Sequence, residues 1–265
     1  MKKEIAVLMP AYNPGLEISE TLDSLHRQSA PFKLFVIDDG SRNVPDYKFL
    51  LRDFDYHLII SPKNLGVNEA RNPALRQILT EGFQYIALID CGDVAMPQRL
   101  AKQKAFLDSN PDVSILGSCI EMVFTETRKE FSITYPSGSG QCRVAMWSNM
   151  PVSHPALMIR SQVFEQIGLY SKRYEAAEDY DFIRRAAAAG FGIDNMQDIL
   201  LRKIETLNSI SRKKRGTQLN SRLAIQWEHR DLTNLQCLVG LLKTTLIRIT
   251  PDAVTHKIKQ TLGKI

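Results

Sequence analysis

The 265-residue chain has only four cysteines, Cys91, Cys119, Cys142 and Cys237, scattered and never in C-x-x-C spacing. That excludes a disulfide framework and a cysteine-built zinc site, and the simplest expectation is reduced thiols in a cytoplasmic protein. No apolar stretch approaches the eighteen or so residues of a membrane span, and only five apolar residues follow Met1-Lys2-Lys3-Glu4 before Pro10, too few for a signal-peptide core. Neither G-x-G-x-x-G nor G-x-x-x-x-G-K-[ST] occurs, so no glycine cradle for phosphate is written in the chain. Helix-turn-helix, zinc-finger and RNP patterns are missing too, which leaves nucleic acid without a reader.

What is present is a series of short apolar runs with polar ends. Leu34-Phe35-Val36-Ile37 stops at Asp38-Asp39-Gly40-Ser41, Ile5 to Met9 stops at Pro10-Ala11-Tyr12-Asn13, and Tyr85 to Ile89 stops at Asp90-Cys91-Gly92-Asp93. Such runs, with Tyr56 to Ile60 and Val113 to Leu116, alternate with helical patterns, which predicts βαβ units and a largely parallel α/β sheet. Open sheets of this kind bind ligands beyond the strand ends, where the polar tips fall. Ile18, Leu22 and Leu25 mark the first helix, with Glu17, Glu20 and Asp23 on its other face. Pro97 is expected to open another. Beyond residue 118 the alternation weakens: Pro136-Ser137-Gly138-Ser139-Gly140 reads as an exposed loop, and helices are expected at about 178–189 and 217–230.

Without a glycine loop, a bound nucleotide diphosphate would have to be held by arginines or a metal. Carboxylates at strand ends suit a hard divalent cation, and Asp90 and Asp93 are the candidates, unless they only cap turns. At this point the ordered set Pro10-Ala11-Tyr12-Asn13, Asp38-Asp39-Gly40-Ser41, Asn64-Leu65-Gly66 with Ala70-Arg71-Asn72, Asp90 to Pro97, His154-Pro155, Glu178-Asp179-Tyr180-Asp181 and Ser209-Ile210-Ser211 resembles the inverting family 2 glycosyltransferases of the bacterial surface-polysaccharide type. The likeness runs from about residue 4 to 215.

The resemblance implies a GT-A fold, a Rossmann-like, mostly parallel sheet flanked by helices, and a nucleoside-diphosphate sugar donor, UDP being expected, in the crevice. Pro10 and Tyr12 would flank the base, Asp39 would accept from the uracil ring, Arg71 would lie near base or diphosphate, and Asp90 would border the donor. Mn²⁺ or Mg²⁺ would sit on Asp90 and Asp93. Asp179 would be the catalytic base with Glu178 beside it; read without the family, both are charges at a helix N-terminus. His154 either borders the acceptor or caps a strand, and Trp147 either walls a sugar site or belongs to the core. Three positions depart from the family pattern: Gly92 stands where the main metal ligand is usual, Pro73 where glycine is, and Leu207 where a histidine is often found.

The expected division is a catalytic domain over 1–215, split into a donor half (1–117) and an acceptor half (118–215), and a basic amphipathic extension over 216–265. Residues 201–265 hold 13 Lys/Arg against 4 Asp/Glu, so the first 200 residues are net acidic. Arg212-Lys213-Lys214-Arg215 and the later mixture of Leu238, Leu241, Leu242, Leu246, Ile249 and Ile258 with Lys243, Arg248, Lys257, Lys259 and Lys264 either lie on an anionic membrane or pack on the catalytic domain. The resulting expectation is a transferase at the inner face of the cell membrane, extending a polyprenyl-diphosphate-linked glycan. Two rivals are a two-carboxylate glycosidase and a non-catalytic nucleotide-sugar-binding or membrane-adaptor protein.

Overall fold

A computed structural model describes residues 4–125, 127–174, 176–205 and 215–250, with the side chains of all but 67–69. The apolar runs become β1 (Ile5–Ala11), β2 (Phe32–Asp38), β3 (Tyr56–Ile60) and β4 (Tyr85–Leu88), which pair in parallel in the order β3-β2-β1-β4. Both faces of these strands are covered. Ile5, Val7, Met9, Leu34 and Val36 pack toward Ile18, Leu22 and Leu25 of α1 (Glu17–His26). Ala6, Leu8, Phe35 and Ile37 face Ala70, Ala74, Leu75 and Ile78 of α3 (Val67–Glu81), which follows the single-turn α2 (Tyr47–Leu50). A strand buried on both sides needs a continuous apolar run, which is what the sequence supplies. From β1 the chain builds outward to β2 and β3 and then returns to β4 on the other side, so the crevice opens above the ends of β1 and β4.

Past β4 the sheet is mixed rather than parallel. β8 (Met158–Arg160) runs antiparallel between β4 and β6 (Val113–Phe124), closing an edge that β4 would otherwise leave open. β6 pairs in parallel with the 14-residue β9 (Gly192–Glu205), through register shifts at 113–115 and 118–120, and in antiparallel with β7 (Lys129–Ile133). The short β5 (Val94–Ala95) pairs with β9. The boundary expected at 117/118 therefore falls inside β6. Pro97 lies in a turn, and α4 starts two residues later (Arg99–Ser109). Pro73 sits inside α3. Only the first part of the expected exposed loop is loop, because α5 (Ser139–Ala145) begins within it.

After α6 (Ser161–Ile167) and α7 (Glu178–Ala188), the last two helices are α8 (Arg215–Glu228) and α9 (Leu235–Ile249). Ile225 of α8 belongs to the main core cluster and Ser221 Oγ accepts from Ala176 N, so packing does not break at 215/216. α9 buries small residues, Cys237, Gly240 and Thr244, and a Cβ at Gly240 would stand 2.0 Å from the Trp147 carbonyl oxygen. Its Leu235, Leu238, Val239, Leu242, Leu246 and Ile249 are exposed. No described helix is long and apolar enough to cross a membrane. Lys257, Ile258, Lys259 and Lys264, Arg212 to Lys214, Leu207 and Ser209-Ile210-Ser211 lie outside the described residues.

Candidate active site

The crevice begins where the tips of β1 and β2 are tied together. Asn13, at φ 46°, donates its N–H to Ser41 Oγ (2.7 Å) and accepts from Arg42 N (2.8 Å). Gly40 is required by space and backbone: its φ is +73°, and a Cβ would meet the Lys63 carbonyl carbon at 2.3 Å. Asp38 is fully buried, accepting from Ser41 N and from the Tyr47 hydroxyl, both at 2.7 Å; burial, and then this bond, push the tyrosine pKa up. Asp39 accepts from Leu65 N (2.8 Å) and Gly66 N (2.9 Å), holding the entry to α3. Each carboxylate oxygen keeps a further lone pair for a ligand N–H. Tyr12 is 44% exposed beside it, free to stack on a base, and Pro10 precedes it half-buried.

The centre of the crevice is organised by Arg71. Its buried guanidinium donates to Asp90 Oδ1 (2.8 Å), stands 3.9 Å from Glu178 Oε1 and lies 5.9 Å from the Tyr170 ring centroid. Burial alone would lower its pKa, but Asp90, Tyr170 and Glu178 outweigh that and raise it. Asp90 keeps 39% of its side chain open; burial favours its acid form, yet Arg71 and Lys203 hold its pKa below the ordinary carboxylate range. The neighbouring Asn72 exchanges two hydrogen bonds with the Tyr170 backbone (3.0 and 3.2 Å), locking α3 to the segment that leads into α7.

Asp93 behaves differently. It is 3% exposed, its Oδ1 accepts from Ile204 N of β9 (3.0 Å), and its Oδ2 is sealed without a partner. Burial and then Asp90 push its pKa up to about 8. Beneath it Arg99, fully buried, donates to Leu88 O (2.7 Å), its own pKa pulled down to about 10 by burial.

These donors do not fit the expected divalent ion. Asp90 gives one oxygen, Oδ1, to Arg71, the free oxygen of Asp93 is closed off, and Gly92 supplies no ligand in a turn held at φ +102° by its N–H bond to Thr21 Oγ1 (2.9 Å). Among the described residues no group of three or more His, Cys, Asp or Glu is placed to hold a metal.

The start of α7 forms the wall across from Arg71. Ala177 precedes it in the left-handed region (φ 64°, ψ 35°), a strained conformation for a residue with a Cβ and one that tends to occur at functional sites. It turns Glu178 and Asp179 toward Arg71. Burial raises the Asp179 pKa against the pull of the Tyr180 N–H (2.7 Å), Arg71, Lys203 and Arg222. Asp181, two residues on, points away and pairs with Arg185 (2.8 Å).

His154 is buried and bonded through Nε2 to the Tyr170 hydroxyl (2.8 Å); burial, then Arg71, press its pKa down to about 3, so it is a neutral structural link behind the crevice. Trp147 packs with the helices behind it: Arg184 lies 4.2 Å over the ring, and its carbonyl accepts from Gln226 (2.8 Å). A cavity of about 380 Å³ lined by Tyr135, Pro136, Asn149 and Met150 to Val152 lies on the chain leading into His154.

Arg71, Asp90, Glu178 and Asp179 are thus brought together. Sequence reading missed Tyr170, Lys203 and Arg222. Only the basic character of the chain after residue 200 pointed toward the last two.

Residues 6–168 match the family described as Glycosyl transferase family 2, and the chain belongs to that family. It is 26% identical to the uncharacterized glycosyltransferase MJ1057 of Methanocaldococcus jannaschii, covering 76% of this chain and 70% of that one. It is 25% identical to the amylovoran biosynthesis glycosyltransferase AmsE of Erwinia amylovora, covering 80% and 79%. The fold is GT-A: S. aureus TarS 1–349 in complex with UDP-GlcNAc superposes with a TM-score of 0.66 at 19% identity, over 85% of this chain and 66% of that one. Full TarS is longer still, the match covering 39% of it. The mannosyltransferase PcManGT of Pyrobaculum calidifontis, in complex with GDP-Man and Mn²⁺, gives 0.65 at 14% identity, over 99% and 80%.

Proposed function

We propose that this glycosyltransferase moves a sugar from a UDP-sugar to a hydroxyl of a lipid-linked surface glycan, with inversion at the anomeric carbon. The observation that carries the reading is the placement of Asp179 at the head of α7, across from the Arg71–Asp90 pair in one crevice. Its raised pKa makes Asp179 a stronger base than an ordinary carboxylate, suited to take the acceptor proton as the new bond forms. The sugar passes through an oxocarbenium-like state, as in inverting glycosidases where a carboxylate activates water. Tyr12 stacks on the base, Asp39 accepts its imide N–H, and Arg71 faces the negative charge that grows on the leaving diphosphate. UDP is supported by the UDP-GlcNAc complex of TarS, and a surface polysaccharide by the amylovoran role of AmsE.

The acceptor's lipid link and a position at the membrane rest on α9. Six exposed apolar residues recur there at three- and four-residue spacing, so the apolar stripe faces outward while small residues face the protein. That is the reverse of an ordinary surface helix and suits an interfacial one.

The test is a panel of UDP-sugars and GDP-mannose offered with a polyprenyl-diphosphate glycan. Sugar transfer with an inverted linkage by NMR supports the reading, and release of free sugar from an oligosaccharide without nucleotide overturns it. The non-catalytic alternative predicts donor binding with neither transfer nor slow donor hydrolysis.

A further inference from the structure

Lys203 extends from β9 beside the acidic 90–93 turn. It is the antepenultimate residue of β9, opposite Met122 of β6, and the next residue, Ile204, gives its N–H to Asp93 Oδ1 at 3.0 Å. The side chain is half-buried on a strand that lies alongside the 90–93 turn. Asp90, Asp93, Glu205 and Tyr135 all act on it, and together they outweigh the burial that would otherwise discharge the ammonium. Its charge in turn reaches His154 and Asp179. Among the described residues, however, the ammonium makes no hydrogen bond and no ion pair within 4.0 Å, although Asp93 Oδ2 nearby is itself sealed and unpartnered. A lysine amid acids that bonds to none of them keeps three N–H donors for something else.

The position of that ammonium matches what the crevice lacks. The 90–93 turn offers no ligand at Gly92, and a side chain there would be strained at φ +102°, so the chain has not simply mislaid one aspartate from an otherwise intact ion site. We infer that Lys203 is a donor-binding residue, a fixed cation that contacts the diphosphate of the nucleotide and takes the part a divalent ion would play. Arg71 holds one side of the crevice and Lys203, carried by β9, the other. The compact ammonium acts as a point charge for phosphate oxygens, where a guanidinium would impose a fork. This inference rests on the nucleotide-sugar reading above.

The experiment is calorimetry of UDP and of uridine on the full chain, its Lys203→Gln variant and its Lys203→Arg variant, in excess EDTA and again with Mn²⁺. The wild type is expected to bind UDP equally in both buffers. Lys203→Gln should weaken UDP by roughly ten- to a hundredfold, the scale of a hydrogen bond to a charged group, and leave uridine unchanged. Lys203→Arg should restore most of the loss, which a folding defect in the glutamine variant would not explain. Unchanged UDP affinity in Lys203→Gln, or a tenfold dependence of wild-type binding on Mn²⁺, overturns the inference while the donor site stands. Failure of the wild type to bind both UDP and uridine defeats the nucleotide-sugar reading itself.

Discussion

Two acidic turns leave the parallel half of the sheet, and they do different work. In the turn after β2, Asp38 and Asp39 each accept two hydrogen bonds at 2.7–2.9 Å from the surrounding loops and Tyr47. In the turn after β4, Asp90 pairs with a guanidinium and stays open while Asp93 is sealed, its pKa raised by burial. The sequences look alike, an apolar strand followed by aspartates and a glycine. What separates them is the partner: the first turn meets backbone N–H groups close in space, the second meets Arg71, Lys203 and the head of α7. Carboxylates satisfied by backbone fix geometry, whereas carboxylates facing side-chain charge in an open crevice can take part in chemistry.

The largest effect that would sharpen this contrast is within α7. Asp179→Asn should cut transfer by about 10²- to 10⁴-fold with UDP affinity nearly unchanged, the signature of a lost general base. Asp181→Asn, which breaks only the pair with Arg185, should lower stability and spare the rate; a comparable rate loss in both would erase the distinction between working and holding carboxylates.

Next comes the first turn. Asp39→Ala strands the Leu65 and Gly66 N–H groups, so urea unfolding should show a loss of about 3 kcal/mol, with hydrogen bonds to charged groups worth roughly 1.5–3 kcal/mol each. UDP binding should fall with it. Asp38→Asn, sealed from the crevice, should leave UDP affinity unchanged in the folded fraction. Equal effects of both on nucleotide binding would break the assignment of Asp39 alone to the base.

A smaller effect concerns His154. Its imidazole titrates near 3 in the folded protein against 6.5 for the free side chain, so between those values the unfolded chain takes up a proton that the native state refuses. Stability should therefore decline as pH falls from about 6.5 toward 3, and His154→Gln should flatten that part of the curve. An unchanged slope in the variant would mean the carboxylates alone set the acid limb.

The smallest effect on stability, within about 0.5 kcal/mol, is expected for Leu242→Gln with Leu246→Gln on the outward stripe of α9. Binding to anionic vesicles should nonetheless weaken clearly in a flotation assay. Normal vesicle binding together with a marked loss of stability would place the stripe in packing instead of at the membrane.

The sequence by itself determined the parallel half, because strands buried on both faces must be apolar throughout and the turns that end them need glycine and aspartate. Ile5 to Met9, Leu34 to Ile37 and Tyr85 to Leu88 are legible for that reason, as are the stripe of α1 and the acidic head of α7. It could not show that β9 is a 14-residue strand, since residues 192–205 mix both faces across bulges in its pairing with β6. Nor could it tell which aspartate would hold a loop and which would meet an arginine. Those assignments depend on contacts between residues far apart in the chain: Asn72 with Tyr170, 98 positions away, and Asp93 with Ile204, 111 away. A carboxylate's protonation follows from burial and from the charge placed beside it, and both are set only when β9 and α7 close over the ends of β1 and β4.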